Sequence, residues 1–142
     1  MKVQLVFLLL VLLSAAVFSQ TVEDRYQHFL SQHVNDDMSV KRCDVEMSSR
    51  SITGANNACK ETNTFILAGK KLVRGVCGQA GEPYQQGRNL RISLQPFSVI
   101  VCELKNQVRP PRCEYRGRAR TVRIVIGCEK DFPVHYQESA LP

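Results

Sequence analysis

An α+β domain, secreted and stapled by disulfides, is predicted for this chain by three observations. The chain opens on an apolar leader. Its six cysteines are dispersed, with no CxxC pair. Helical patterning comes early and strand-like alternation later, without the βαβ order of a doubly wound sheet.

The leader consists of Met1-Lys2 and an apolar run from Val3 to Phe18, interrupted by Gln4 and Ser14. A charged start followed by a short apolar core is the pattern of a secretory signal. Val17 and Ser19 place the expected cut between Ser19 and Gln20, giving a signal peptide over 1–19 and one domain over 20–142. A product of this size is one domain. Its formal charge drops from +6 to +5 when Lys2 leaves. A basic balance favours polyanions, whether nucleic acid, glycans or anionic membranes, and does not choose among them. The cysteines Cys43, Cys59, Cys77, Cys102, Cys113 and Cys128 lack the close spacing of a zinc site. In an oxidising compartment they are expected to form three disulfides, for which spacing leaves about 15 pairings open.

Each element has a local reason. Thr21 with Asp24 three residues on marks a helix start, and Tyr26, Phe29, Leu30 and Val34 recur at helical spacing, so a first helix is expected over about Val22 to His33. Short helices are expected around Val40 to Ser49 and Leu67 to Val76, ahead of turn-prone stretches. Leu90, Ile92 and Leu94 alternate with polar residues, and Phe97 to Leu104 is apolar on both faces; both read as strands. Cys113 to Arg116 and Thr121 to Cys128 are expected to flank a turn at Arg116-Gly117-Arg118-Ala119-Arg120, before a last strand over Phe132 to Tyr136.

Three segments carry possible chemistry: His28 on the first helix, Cys59-Lys60-Glu61-Thr62-Asn63-Thr64-Phe65, and Phe132-Pro133-Val134-His135-Tyr136. Singly, each has an ordinary structural reading. A histidine on an amphipathic helix is usually a surface or packing residue, and His33 is read that way. Together they resemble the pancreatic-type ribonucleases, whose hallmark CK-x-x-NTF is Cys59 to Phe65 here. Arg25-Tyr26-Gln27-His28-Phe29-Leu30 looks like the family's first helix, and Phe132-Pro133-Val134-His135 its last strand. Asn89-Leu90-Arg91-Ile92-Ser93, the paired prolines before Cys113, and six rather than eight cysteines are similar to the angiogenin-like branch.

The resemblance implies a fold of three short helices with a bent antiparallel sheet. It also implies disulfides joining Cys43 to Cys102, Cys59 to Cys113 and Cys77 to Cys128. The catalytic residues it implies are His28, Lys60 and His135. His28 takes the proton of the ribose 2′-hydroxyl, His135 protonates the departing 5′-oxygen, and Lys60 stabilises the charged phosphoryl oxygens. Gln27, Asn63, Thr64 and Tyr136 are the implied substrate-binding residues, with Thr64 reading a pyrimidine edge. The reaction is an RNA endonuclease cleavage to a 2′,3′-cyclic phosphate, with no metal or cofactor. The implied partners are RNA, a ribonuclease inhibitor protein and anionic cell or bacterial surfaces, and the implied state is a monomer. A cationic antimicrobial effector, independent of RNA cleavage, and an angiogenic signal are the alternative roles.

Three departures qualify the resemblance. Where the family has an aspartate two residues after the catalytic histidine, this chain has Gln137, followed by Glu138. A glutamine at the latter position obstructs the pyrimidine pocket in the angiogenin-like branch, so Glu138 is expected either to obstruct it or to supply the missing carboxylate. Only Arg50 remains of that branch's nuclear-targeting arginine triplet. Finally, basic residues gather in two groups: Lys70, Lys71, Arg74, Arg88 and Arg91, then Arg109, Arg112, Arg116, Arg118, Arg120 and Arg123.

Overall fold

The structure, a computed structural model, describes residues 20–84, 89–106 and 108–138. The leader expected over 1–19 lies outside them, as does Arg88. Helix α1 runs over Val22–His33, as the sequence predicts. The Thr21 hydroxyl accepts from the Asp24 backbone N–H at 3.0 Å. Such a cap is worth about 1 kcal/mol, and Glu23 and Asp24 add favourable charge at the same end. Tyr26, Phe29 and His33 form its buried stripe. Position 33 shares the stripe because it is seven residues, or about two turns, beyond Tyr26.

A single 3-10 turn over Val40–Arg42 leads into α2, Cys43–Ser49, and α3 covers Lys70–Gly75. The strands are β1 Thr62–Ile66, β2 Gly81–Pro83, β3 Leu90–Ser93, β4 Phe97–Leu104, β5 Tyr115–Val122, β6 Val125–Glu129 and β7 Phe132–Tyr136. They form two antiparallel sheets, ordered β1-β4-β5 and β2-β3-β6-β7. The α+β class therefore holds, with the expected bent sheet present as two hydrogen-bonded pieces.

The register of the first sheet sorts its two faces. Phe65, Ile100, Cys102 and Tyr115 pack with Met38, Cys43, Met47 and Ile52 beneath α2. On the opposite face stand Thr62 with Glu103 and Arg116, Thr64 with Val101 and Arg118, and Ile66 with Val99 and Arg120. A second core joins Phe29 of α1 and Val73 of α3 to Ile66, Val99, Ile124, Ile126 and Tyr136.

Disulfides link Cys43 to Cys102, Cys59 to Cys113 and Cys77 to Cys128, the pairing the resemblance implies. They close sequence separations of 59, 54 and 51 residues. Each loop of this size stabilises the fold by about 4 kcal/mol in the chain-entropy account.

One expectation is corrected. Arg116-Gly117-Arg118-Ala119-Arg120 is not a turn but the middle of β5. Gly117 serves contact rather than bending: a Cβ there would stand 2.4 Å from the carbonyl oxygen of Val40. Its φ is not positive. The small residues that suggest a turn instead let the 3-10 segment lie against the strand.

Several basic residues are structural. Arg50 donates to Glu46 and to the carbonyls of Ser31 and Val34. Arg91 donates to the carbonyls of Val76, Gly78 and Gly81, and Arg123 to those of Ser93 and the Glu82 carboxylate. Arg74 stacks over Phe132 at 4.0 Å.

Candidate active site

The last turn of α1, the start of β1 and the end of β7 converge on Thr64. His33, on the buried stripe of α1, places its Nδ1 2.8 Å from the Thr64 carbonyl oxygen. A carbonyl oxygen only accepts, so Nδ1 carries the proton and Nε2 keeps its lone pair. The ring is held between Phe29, 5.4 Å away, and Tyr136, stacked at 5.2 Å. Burial pushes its pKa down to about 3, the Thr64 hydrogen bond opposes this, and the charges of Lys60, His135 and His28 add to the depression. His33 is thus a neutral imidazole at neutral pH, in the form that accepts a proton.

Lys60 sits just before β1, and its Nζ donates to Asn63 Oδ1 at 2.8 Å. Asn63 is fully buried and donates through Nδ2 to the Gln32 carbonyl at 2.9 Å. This bond ties β1 to α1 and fixes the oxygen that aims the lysine. The Lys60 carbonyl accepts from the Tyr115 hydroxyl at 2.7 Å. With Cys59 bridged to Cys113 alongside, the lysine's backbone is held from two directions. Burial lowers the Lys60 pKa, with Glu138 opposing.

His135 projects from β7 and is exposed. Its Nε2 meets Gln137 Oε1 at 2.8 Å. The amide oxygen accepts, which leaves Nδ1 of His135 available as the second donor of an imidazolium.

Glu138 turns to Thr64. The Thr64 backbone N–H donates to Oε2 at 3.0 Å and its hydroxyl to Oε1 at 2.6 Å. Burial raises the Glu138 pKa, while Thr64, Lys60 and His135 oppose the rise. Of the two expectations for Glu138, obstruction of Thr64 matches this geometry, and Gln137 rather than Glu138 contacts His135. Beside the pair, a cavity is lined by Thr64, Val101, Arg120, Val125, Tyr136 and Glu138.

Two residues expected here lie elsewhere on α1. His28 is on the exposed face, and Gln27 is exposed and donates to Glu23 Oε1 at 3.0 Å. The physical reason is helical phase: His28 falls between the buried positions Tyr26 and Phe29, whereas His33 falls on their stripe. Lys60, Asn63, Thr64 and Tyr136 are brought together around His33. Among the described residues, no cluster of His, Cys, Asp or Glu is placed to hold a metal ion.

Residues 24–137 match the family described as Pancreatic ribonuclease. The chain belongs to that family. Membership makes it an endoribonuclease by class, with RNA as substrate. Among curated relatives, Ribonuclease-like 3 of Danio rerio is 40% identical over 140 residues, covering 96% of this chain and 94% of the relative. Angiogenin of Miopithecus talapoin is 37% identical over 140 residues, covering 94% and 92%. Among solved structures, zebrafish RNase5 superposes with a TM-score of 0.78 at 52% identity, over 83% of this chain and 96% of that one. The likeness to ribonucleases seen in the sequence thus extends to the fold.

The sequence holds a signal that distinguishes the burial of the two helix histidines. The dipeptide Gln-His occurs twice, at Gln27-His28 and Gln32-His33. Periodicity separates them, because only the second histidine continues the apolar spacing of Tyr26 and Phe29.

Proposed function

We propose that this ribonuclease cleaves RNA on the 3′ side of pyrimidines, with His33 as the base, His135 as the acid and Lys60 as the cation. His33, and not the exposed His28, is the proposed base because it lies on the buried stripe of α1 against Thr64. The observation that carries this is the bond from His33 Nδ1 to the Thr64 carbonyl at 2.8 Å. It fixes the tautomer with Nε2 unprotonated, beside the strand whose Thr64 N–H and hydroxyl are proposed to read the base.

In the reaction, His33 Nε2 accepts the proton of the ribose 2′-hydroxyl while its oxygen bonds to phosphorus. The phosphorus–5′-oxygen bond breaks, and His135 Nδ1–H protonates the leaving oxygen. The products are a 2′,3′-cyclic phosphate and a free 5′-hydroxyl. In the slower hydrolysis the two histidines exchange roles. Lys60 faces the charge that gathers on the phosphoryl oxygens. The incoming phosphate also brings negative charge towards His33, raising its basicity from the depressed resting value.

The Thr64 N–H and hydroxyl are the donor–acceptor pair suited to a pyrimidine edge. Glu138 occupies both, so access by a base requires its displacement, and the enzyme is expected to be weak. Gln32, beside His33 on α1, is proposed to hold the phosphate in place of Gln27, which is exposed and donates to Glu23. The paired cysteines and basic surface support a secreted enzyme.

The test is an RNA containing one uridine, with the product ends identified. A uridine 2′,3′-cyclic phosphate and a 5′-hydroxyl fragment are expected, with no cleavage when that uridine is 2′-deoxy. Cleavage of the deoxy substrate, or a 5′-phosphate end, overturns the mechanism.

A further inference from the structure

The stretch that reads as a turn and folds as β5 carries three arginines at alternate positions. Arg116, Arg118 and Arg120 are exposed, and alternate residues of a strand share a face. Register identifies that face. Arg118 stands across from Val101, which stands across from Thr64; Arg120 and Arg116 flank it, opposite Val99 and Glu103. The arginines therefore lie on the sheet face that presents Thr64, and Arg120 already lines the cavity beside Thr64 and Glu138. Successive arginines are about 6.8 Å apart along the strand, a step commensurate with consecutive phosphates of an extended polynucleotide.

These side chains are not committed to the fold as Arg50, Arg91 and Arg123 are. Arg116 and Arg120 have no ion-pair partner among the described residues. Arg118 meets Glu103 at 2.7 Å, with both side chains largely in solvent, a weak pair that a phosphate can displace. On the opposite face of the strand Gly117 packs against Val40.

We infer that Arg116, Arg118 and Arg120 form a track for the RNA backbone on the 5′ side of the cleaved pyrimidine. The inference rests on the ribonuclease reading above. The direction follows from the order of parts: the leaving 5′-oxygen and its downstream nucleotide lie at His135 on β7, and the pyrimidine lies at Thr64 on β1. The strand that continues past the base across β4 to β5 is the one attached through the pyrimidine's own 5′ carbon. Such contacts carry no base information and raise affinity electrostatically.

The test uses three substrates with a single ribo-pyrimidine: a dinucleotide, the same extended by four nucleotides on the 5′ side, and the same extended on the 3′ side. The wild type is expected to prefer the 5′-extended substrate to the dinucleotide at low salt. The double variant Arg116→Ala/Arg118→Ala leaves Arg120 and the cavity intact. It is expected to cleave the dinucleotide as the wild type does and to lose about tenfold in kcat/KM on the 5′-extended substrate. The slope of log kcat/KM against log salt becomes shallower by about 1.4, two phosphates at about 0.7 each. Glu103→Gln, which frees Arg118, is expected to enlarge the 5′ preference.

Equal effects on the 3′- and 5′-extended substrates, or none on either, overturn the track and leave the ribonuclease reading standing. A wild type that cleaves no RNA overturns the ribonuclease reading itself. If the double variant keeps its RNA preference but no longer binds phosphatidylglycerol vesicles, the row serves an anionic surface and the track is wrong.

Discussion

Both carboxylate oxygens of Glu138 accept hydrogen bonds from Thr64, one from its backbone N–H and one from its hydroxyl. Glu138 thus covers the polar edge on which a pyrimidine would be read. A base must displace two bonds to a charged acceptor before it can make its own.

Glu138→Ala is accordingly expected to raise kcat/KM on a uridine dinucleotide by about tenfold, the equivalent of about 1.4 kcal/mol and well within the worth of charge-accepting hydrogen bonds. Steady-state kinetics on both proteins measure this. An unchanged or lowered value means that Glu138 does not limit access.

Gln137 contacts the acid histidine at 2.8 Å but is neutral. Gln137→Asp puts a negative charge in its place, which favours imidazolium. The expected outcome is a severalfold rise in kcat, with the alkaline limb of the bell-shaped pH–rate profile moved to higher pH. A profile that does not move contradicts a charge role for this position.

Lys60 is aimed by Asn63 and partly desolvated. Removing a preorganised charge at a transition state costs about 3 to 4 kcal/mol. Lys60→Ala is therefore expected to lower kcat by about two to three orders of magnitude with little change in KM. A loss confined to KM would make Lys60 a ground-state binder.

His33 also couples stability to pH. Its folded pKa of about 3 lies below the ordinary value of 6.5, so its contribution is fully present above pH 6.5 and is lost as the pH falls towards 3. Through that window the limiting slope is about 1.4 kcal/mol per pH unit. Denaturant unfolding between pH 7 and pH 4 is expected to show a shallower fall for His33→Asn than for the wild type. Parallel curves would mean that the imidazole is not held neutral.

Much of the fold is legible in the sequence where local signals agree. The Thr21 cap and the spacing of Tyr26 and Phe29 define α1, and the apolar run of Phe97 to Leu104 defines β4. The segment Cys59 to Phe65 locates Lys60, Asn63 and Thr64. Three things are not legible from local pattern alone. Glycine and alanine between arginines imitate a turn, because the contact that requires a small residue, Val40 over Gly117, is distant in sequence. Which histidine of α1 faces Thr64 is not carried by the motif resemblance, because both follow a glutamine and only burial of the Tyr26 and Phe29 stripe separates them. The bonds of Glu138 to Thr64 span 74 residues, so no local pattern shows them and only the family resemblance points to an obstruction there.

The account turns on which helix histidine is the base. Cleavage of a uridine dinucleotide by His33→Ala and His28→Ala, each checked for native disulfides and folding, decides it. The account predicts near-complete loss of cyclic-phosphate formation in His33→Ala and near-native rates in His28→Ala. Retained cleavage by His33→Ala with loss in His28→Ala would contradict it.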